Sequence, residues 1–159
     1  MYAVGDKIVY PMHGAGIIES IEEKEILGEK KSYYVMRMPV GEMKVMIPTN
    51  SAGEVGIRSV IDKSVADKVI SSLEGGVEEE PSNWNKRYRE NMLKIKSGNV
   101  FDVAEVVKNL IIRERQKGLS TGERKMLNSA KQILISELVL AENMKPSEVE
   151  ELINFKISV

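Results

Sequence analysis

The chain's single tryptophan, Trp84, lies in the run Asn83-Trp84-Asn85-Lys86-Arg87-Tyr88-Arg89, a large aromatic followed closely by cations. An indole can stack on a base or wedge into an unstacked step, while lysine and arginine grip the neighbouring phosphates. Those roles make Trp84, Lys86, Arg87 and Arg89 candidate nucleic-acid contacts. A core reading competes: Trp84, Tyr88, Met92 and Ile95 share one helix face, as a buried stripe does. Tyr88, Met92 and Ile95 can stay in a core even where Trp84 projects past its edge. A second basic group, Arg113, Arg115, Lys117, Arg124 and Lys125, flanks a turn between two helices. Cations near a helix C-terminus complement its dipole in any protein. Lys125 is different, because it follows a helix N-terminus that could receive a phosphate.

Other chemistries find little support. The chain has no Cys and one His, His13, so no transition-metal ligand set can be assembled from thiolates and imidazoles. No Walker loop or hydrolase elbow occurs. Gly14 and Gly16 read as a tight turn between strands. The carboxylates do not single out a catalytic pair. These observations predict a non-enzymatic protein without metal or cofactor. The N-terminus lacks a signal-peptide pattern, and no apolar run approaches a membrane span of about 20 residues. A cytoplasmic location is expected.

Net charge is −1, yet the distribution is uneven. Glu74, Glu78, Glu79 and Glu80 precede Lys86, Arg87, Arg89, Lys94 and Lys96, so a near-neutral total conceals a basic patch.

The elements that must position these residues change type near residue 60. Before it, Lys7–Tyr10, Ile17–Ile26, Ser32–Met38 and Met43–Ile47 are rich in Val, Ile and Tyr and read as strands. Turn residues separate them, with a hairpin at Leu27-Gly28-Glu29 and Pro48 closing the last strand. A small bent sheet or SH3-like barrel follows. Beyond it, apolar spacing turns helical. Helices are expected near 62–73, 83–97 (with Ser82 as N-cap and Gly98 past the end), 100–116, from Ser120 onward, and from Pro146 to about 156. Ser120 and Glu123 match a capping box. Glu74 to Pro81 reads as a loop. The expected fold class is α+β in two domains, 1–58 and 59–159. The second would be a compact all-helical unit of about five helices.

Two stretches carry a family resemblance. Tyr2-Ala3-Val4-Gly5-Asp6-Lys7-Ile8-Val9-Tyr10-Pro11-Met12-His13-Gly14 is similar to the opening of CarD/CdnL regulators and to the corresponding module of the transcription–repair coupling factor. Pro81-Ser82-Asn83-Trp84-Asn85-Lys86-Arg87-Tyr88 and Gly118-Leu119-Ser120-Thr121-Gly122-Glu123-Arg124-Lys125-Met126-Leu127 resemble CarD/CdnL specifically. The coupling factor's motor would not fit in this chain. The resemblance implies a Tudor-like N-terminal domain that lays a strand against the RNA polymerase β subunit, with Lys24 and Val45-Met46-Ile47 as contacts. Edge-strand addition supplies backbone bonds for affinity and alternate side chains for selectivity. Some relatives carry a basic residue where Met46 stands, so a more apolar contact is expected there.

The resemblance also implies that the helical domain meets promoter DNA in the minor groove near the −10 element. Trp84 would be the wedge at the upstream edge of the bubble, and Lys86, Arg87, Arg89 and Lys125 the phosphate contacts. The implied function is open-complex stabilisation. No membrane or small-molecule partner is expected. The alternatives are a protein-interaction adaptor with Trp84 in its core, or an RNA-binding factor. Residues 1–60 hold 7 Lys or Arg against 8 Asp or Glu, which weakens the RNA reading.

Overall fold

The computed structural model describes residues 1–76 and 83–157. The chain begins with a five-stranded antiparallel sheet: β1 Lys7–Tyr10, β2 Gly14–Ile26, β3 Glu29–Arg37, β4 Lys44–Pro48 and β5 Arg58–Ser59. Among the described residues five helices follow: α1 Lys63–Ser72, α2 Trp84–Lys96, α3 Val100–Gln116, α4 Thr121–Glu142 and α5 Pro146–Lys156. This is the α+β arrangement expected from the change of pattern near residue 60. Glu78, Glu79, Glu80, Pro81 and the expected N-cap Ser82 lie outside the described residues. The cap of α2 is Asn83, whose side chain accepts from the Lys86 N–H.

The strand order is β4-β3-β2-β1-β5, so β4 and β5 form the edges. β2 and β3 run longer than their apolar segments, because a charged arm extends the hairpin to the turn at Leu27-Gly28. A register shift between Ile18 and Ser20 bends β2, as a bulge does. Ile8, Ile18, Tyr34, Met36 and Ile47 form one core on the sheet. β5 was not anticipated; Arg58-Ser59 is too short and too polar to show a strand period.

The helical core gathers apolar faces from all five helices, including Val69, Ile95, Val106, Leu110, Leu134 and Ile153. The two cores meet along α4. Val9 and Ala15 are buried, and the Ala15 N–H donates to Ser136 Oγ at 2.8 Å. Gly14 precedes it at φ +112°, and a Cβ there would stand 2.7 Å from Ser136 Oγ. This turn therefore needs glycine for both its conformation and its approach to α4.

Glu137, 3% exposed, fastens the same junction. Its carboxylate accepts from Arg58 Nη1 and Nη2, each at 2.7 Å, and from the Ile61 N–H at 3.1 Å. Arg58 Nε also donates to the Gly98 carbonyl at 2.9 Å, joining β5 to the α2–α3 turn.

Candidate nucleic-acid interface

Trp84 is the first residue of α2 and is 41% exposed. Its ring stacks on Tyr88 with centroids 4.9 Å apart and planes 20° apart. Its Nε1–H donates to Ser120 Oγ at 3.0 Å. The helical stripe therefore divides along its length. Ile95 is buried, Tyr88 and Met92 are half-buried, and Trp84 extends past the edge. The buried row is rotated by about one residue from the apolar stripe and runs through Arg87, Asn91 and Ile95.

That rotation alters the role of Arg87. Expected as a phosphate contact, it is 3% exposed and lies on Glu123, which is 2% exposed. Arg87 Nε donates to Glu123 Oε2 at 3.0 Å, and Nη2 is 3.4 Å from Oε1. A buried guanidinium on a buried carboxylate acts here as a strut between α2 and α4 and does not reach outward. Arg113 adds a cation 3.8 Å from the same carboxylate. Burial pushes the Glu123 carboxyl up, but Arg87, Ser120 and Arg113 outweigh it and hold the group below its ordinary value.

Lys86, Arg89, Arg124 and Lys125 are exposed and make no ion pair among the described residues. Lys86 and Arg89 are on α2, within five residues of Trp84, and Lys125 and Arg124 are in the first two turns of α4. The indole rests on that same α4 terminus, so the two groups share one end of the helical unit. Arg115 belongs elsewhere: it donates to the carbonyls of Ile157 and Asn154 at the C-terminal end of α5. Of the second basic group, the helix-end interpretation suits Arg115, and Arg113 faces the buried carboxylate.

Ser120 was anticipated as a cap but not as a partner of Trp84. Its Oγ accepts from the Glu123 N–H at 3.2 Å, as an N-cap should. The reciprocal half of the capping box is replaced, because the Glu123 side chain turns to Arg87 and accepts from the Ser120 hydroxyl at 3.2 Å.

On the sheet, β4 is an edge strand paired only with β3. Met46 is 37% exposed and Val45 half-buried, while Ile47 is 0% exposed and sits in the sheet core. Ile47 can thus offer its backbone to a partner strand, but not its side chain. Lys24 is exposed on the hairpin arm, opposite Lys31. Among the described residues there is no group of three metal-ligating side chains, and no helix is long and apolar enough to cross a membrane.

Residues 2–61 match the CarD-like/TRCF RID domain, and residues 68–154 match the CarD C-terminal domain. The second match separates the chain from the coupling factor, with which CarD proteins share only the first. The chain belongs to the CarD/CdnL family. CarD-like proteins are transcription regulators, and the CarD pattern of sheet first and helices second accounts for the whole element order here. A curated relative described as putative transcription factor YdeB, from Bacillus subtilis, is 43% identical over 150 residues, spanning 94% of this chain and 98% of that one. The solved structure of CdnLNt from Myxococcus xanthus is 43% identical and covers 38% of this chain and 86% of its own, with a TM-score of 0.34.

Proposed function

We propose that this CarD-family protein binds the RNA polymerase β subunit through residues 1–58 and stabilises promoter open complexes through residues 59–159, acting in the cytoplasm. The observation that carries this reading is the indole at the tip of α2. It is half-exposed and supported from behind by Tyr88 and Ser120, and exposed cations that make no ion pair among the described residues lie on the same end of the helical unit.

The mechanism follows from that arrangement. Trp84 inserts in the minor groove near the −10 element, at the upstream edge of the bubble, where the step is already unstacked. Lys86, Arg89 and Lys125 contact phosphates beside it. Unstacking a relaxed step costs a few kcal/mol, and DNA already opened by polymerase has met part of that cost. The wedge therefore favours the open over the closed duplex. With net charge −1 the free protein holds DNA weakly. Docking on polymerase supplies the effective concentration. The free edge of β4 offers the β subunit a strand to pair with, and Met46 and Lys24 lie exposed on the same sheet. The clasp at Glu137 holds the two units in one arrangement, so docking through the sheet also aims the indole.

The test is Trp84→Ala in a promoter-melting assay with polymerase. Losing one base–aromatic contact of about 1–3 kcal/mol should shorten the open-complex lifetime by about fivefold to about a hundredfold. Binding to a β-subunit fragment should not change. Unaltered lifetimes would remove the wedge. The adaptor alternative places Trp84 in the core, which its exposure disfavours.

A further inference from the structure

The Ser120 hydroxyl has one hydrogen to donate and two lone pairs to accept with, and all three are used. It donates to Glu123 Oε1 at 3.2 Å and accepts from the Glu123 N–H at 3.2 Å and from Trp84 Nε1–H at 3.0 Å. Glu123 is in turn held by Arg87 from α2, the helix that carries the indole. A closed circuit results: α2 to Arg87, to Glu123, to Ser120, and back to Trp84. The ring's one polar atom is tied to α4, and the hydroxyl that ties it has no free rotor.

Gly122 supplies the floor. It stands in the first turn of α4, where glycine costs about 1 kcal/mol against alanine. A Cβ there would stand 3.4 Å from Trp84 Cζ2 and 3.7 Å from Tyr88 Cε2. A lone Cβ would make ordinary van der Waals contact with the stacked pair, so it is a longer side chain that would crowd the rings.

From this we infer that the N-terminus of α4 is a seat for the indole, in which Ser120 is a positioning residue that fixes Trp84 in its outward pose. This rests on the wedge reading of Trp84. A pre-positioned ring loses less rotamer freedom when it meets DNA, so the seat raises the lifetime of the open complex without touching a nucleotide.

The full chain permits a test with two readouts. Trp84 is the only tryptophan, so selective excitation of the free protein reports on the seat alone. Ser120→Gly removes the hydroxyl while keeping a tolerated N-cap, so the fold is retained. Its tryptophan should show lower anisotropy and faster acrylamide quenching than wild type, and its open complexes should decay several-fold faster. Ser120→Thr, which keeps the hydroxyl, should restore both. Gly122→Leu, which favours the helix but fills the floor, should mimic Ser120→Gly in both readouts.

Unchanged anisotropy and quenching in Ser120→Gly would overturn the seat. So would an unchanged lifetime in Ser120→Gly beside a shortened one in Trp84→Ala, and the wedge would survive that result. An unchanged lifetime in Trp84→Ala itself would overturn the wedge, and the positioning role with it.

Discussion

Two regions of α4 fasten an arginine from another element, and they do so differently. At Glu123, near the N-terminus, the Arg87 pair is sealed on both sides and lies behind the indole. At Glu137, 14 residues and about 21 Å further along the helix, the carboxylate is buried but Arg58 is partly exposed. Glu137 also takes a backbone N–H, and so ties two chain segments with one side chain. The first pair shapes a tip within the helical unit, and the second fixes that unit to the sheet. In both, charge is spent on holding position. Beside the indole, the cations that stay exposed include Lys86, Arg89, Arg124 and Lys125. Position on the helix, rather than residue type, decides which role a basic residue plays.

Breaking the inner pair should cost most. Removing one partner of a buried ion pair leaves the other charge unpaired, so Arg87→Ala should lower stability by about 3 kcal/mol in urea denaturation. An effect confined to DNA binding would instead return Arg87 to the surface. The pH dependence sharpens the same point. The Glu123 carboxyl lies below its ordinary value in the folded chain. Its contribution is therefore present above the unfolded carboxylate pKa and is lost as pH falls through the folded one. Glu123→Gln should flatten the acid limb of the stability–pH curve.

Breaking the outer pair should cost somewhat less, because water can reach Arg58. Glu137→Ala is expected to lower stability by about 2 kcal/mol, and thermal unfolding should become less cooperative between sheet and helices. A single transition of wild-type stability would show that the clasp contributes nothing.

Removing free cations should leave the fold alone. Lys86→Ala combined with Arg89→Ala should keep the wild-type denaturation midpoint. It should reduce the salt slope of promoter retention by about one unit per lost phosphate contact, measured with polymerase present. The smallest effect is expected at Glu142, a third carboxylate on α4. Burial first, and then the neighbouring Asp67 carboxylate, push it up from its ordinary value. Its charge is no burden below the unfolded pKa, and the penalty grows to its full size as pH rises through the raised folded one. Glu142→Gln should be neutral or slightly stabilising near neutral pH, in contrast to Glu123→Gln.

Much of this layout was legible in the sequence. Four strands and five helices follow from β-branched runs and helical spacing, and Ser120 and Pro146 mark helix starts where they stand. The tryptophan beside cations was readable, but its exposure was implied by the family resemblance, since helical spacing alone also allowed a core role. The role of Arg87 was not readable. A basic run looks alike whichever member turns inward, and only the packing of α2 on α4 selects the row through Arg87 and Asn91. The Ser120–Trp84 bond joins residues 36 apart in sequence, and the capping-box pattern pointed Glu123 at the wrong partner. Which of Val45, Met46 and Ile47 would offer a side chain rather than backbone was not legible either, because strand alternation assigns a face only once the core side is known.

The central claim is that Trp84 meets DNA at the upstream fork of the bubble. Its most direct test is a promoter carrying a photoreactive nucleotide at that edge, assembled with polymerase and the full-length protein. The account predicts a crosslink on the peptide containing Trp84 in open complexes, absent from closed ones. Crosslinks that map only to other proteins, or that persist unchanged in the closed state, would contradict it.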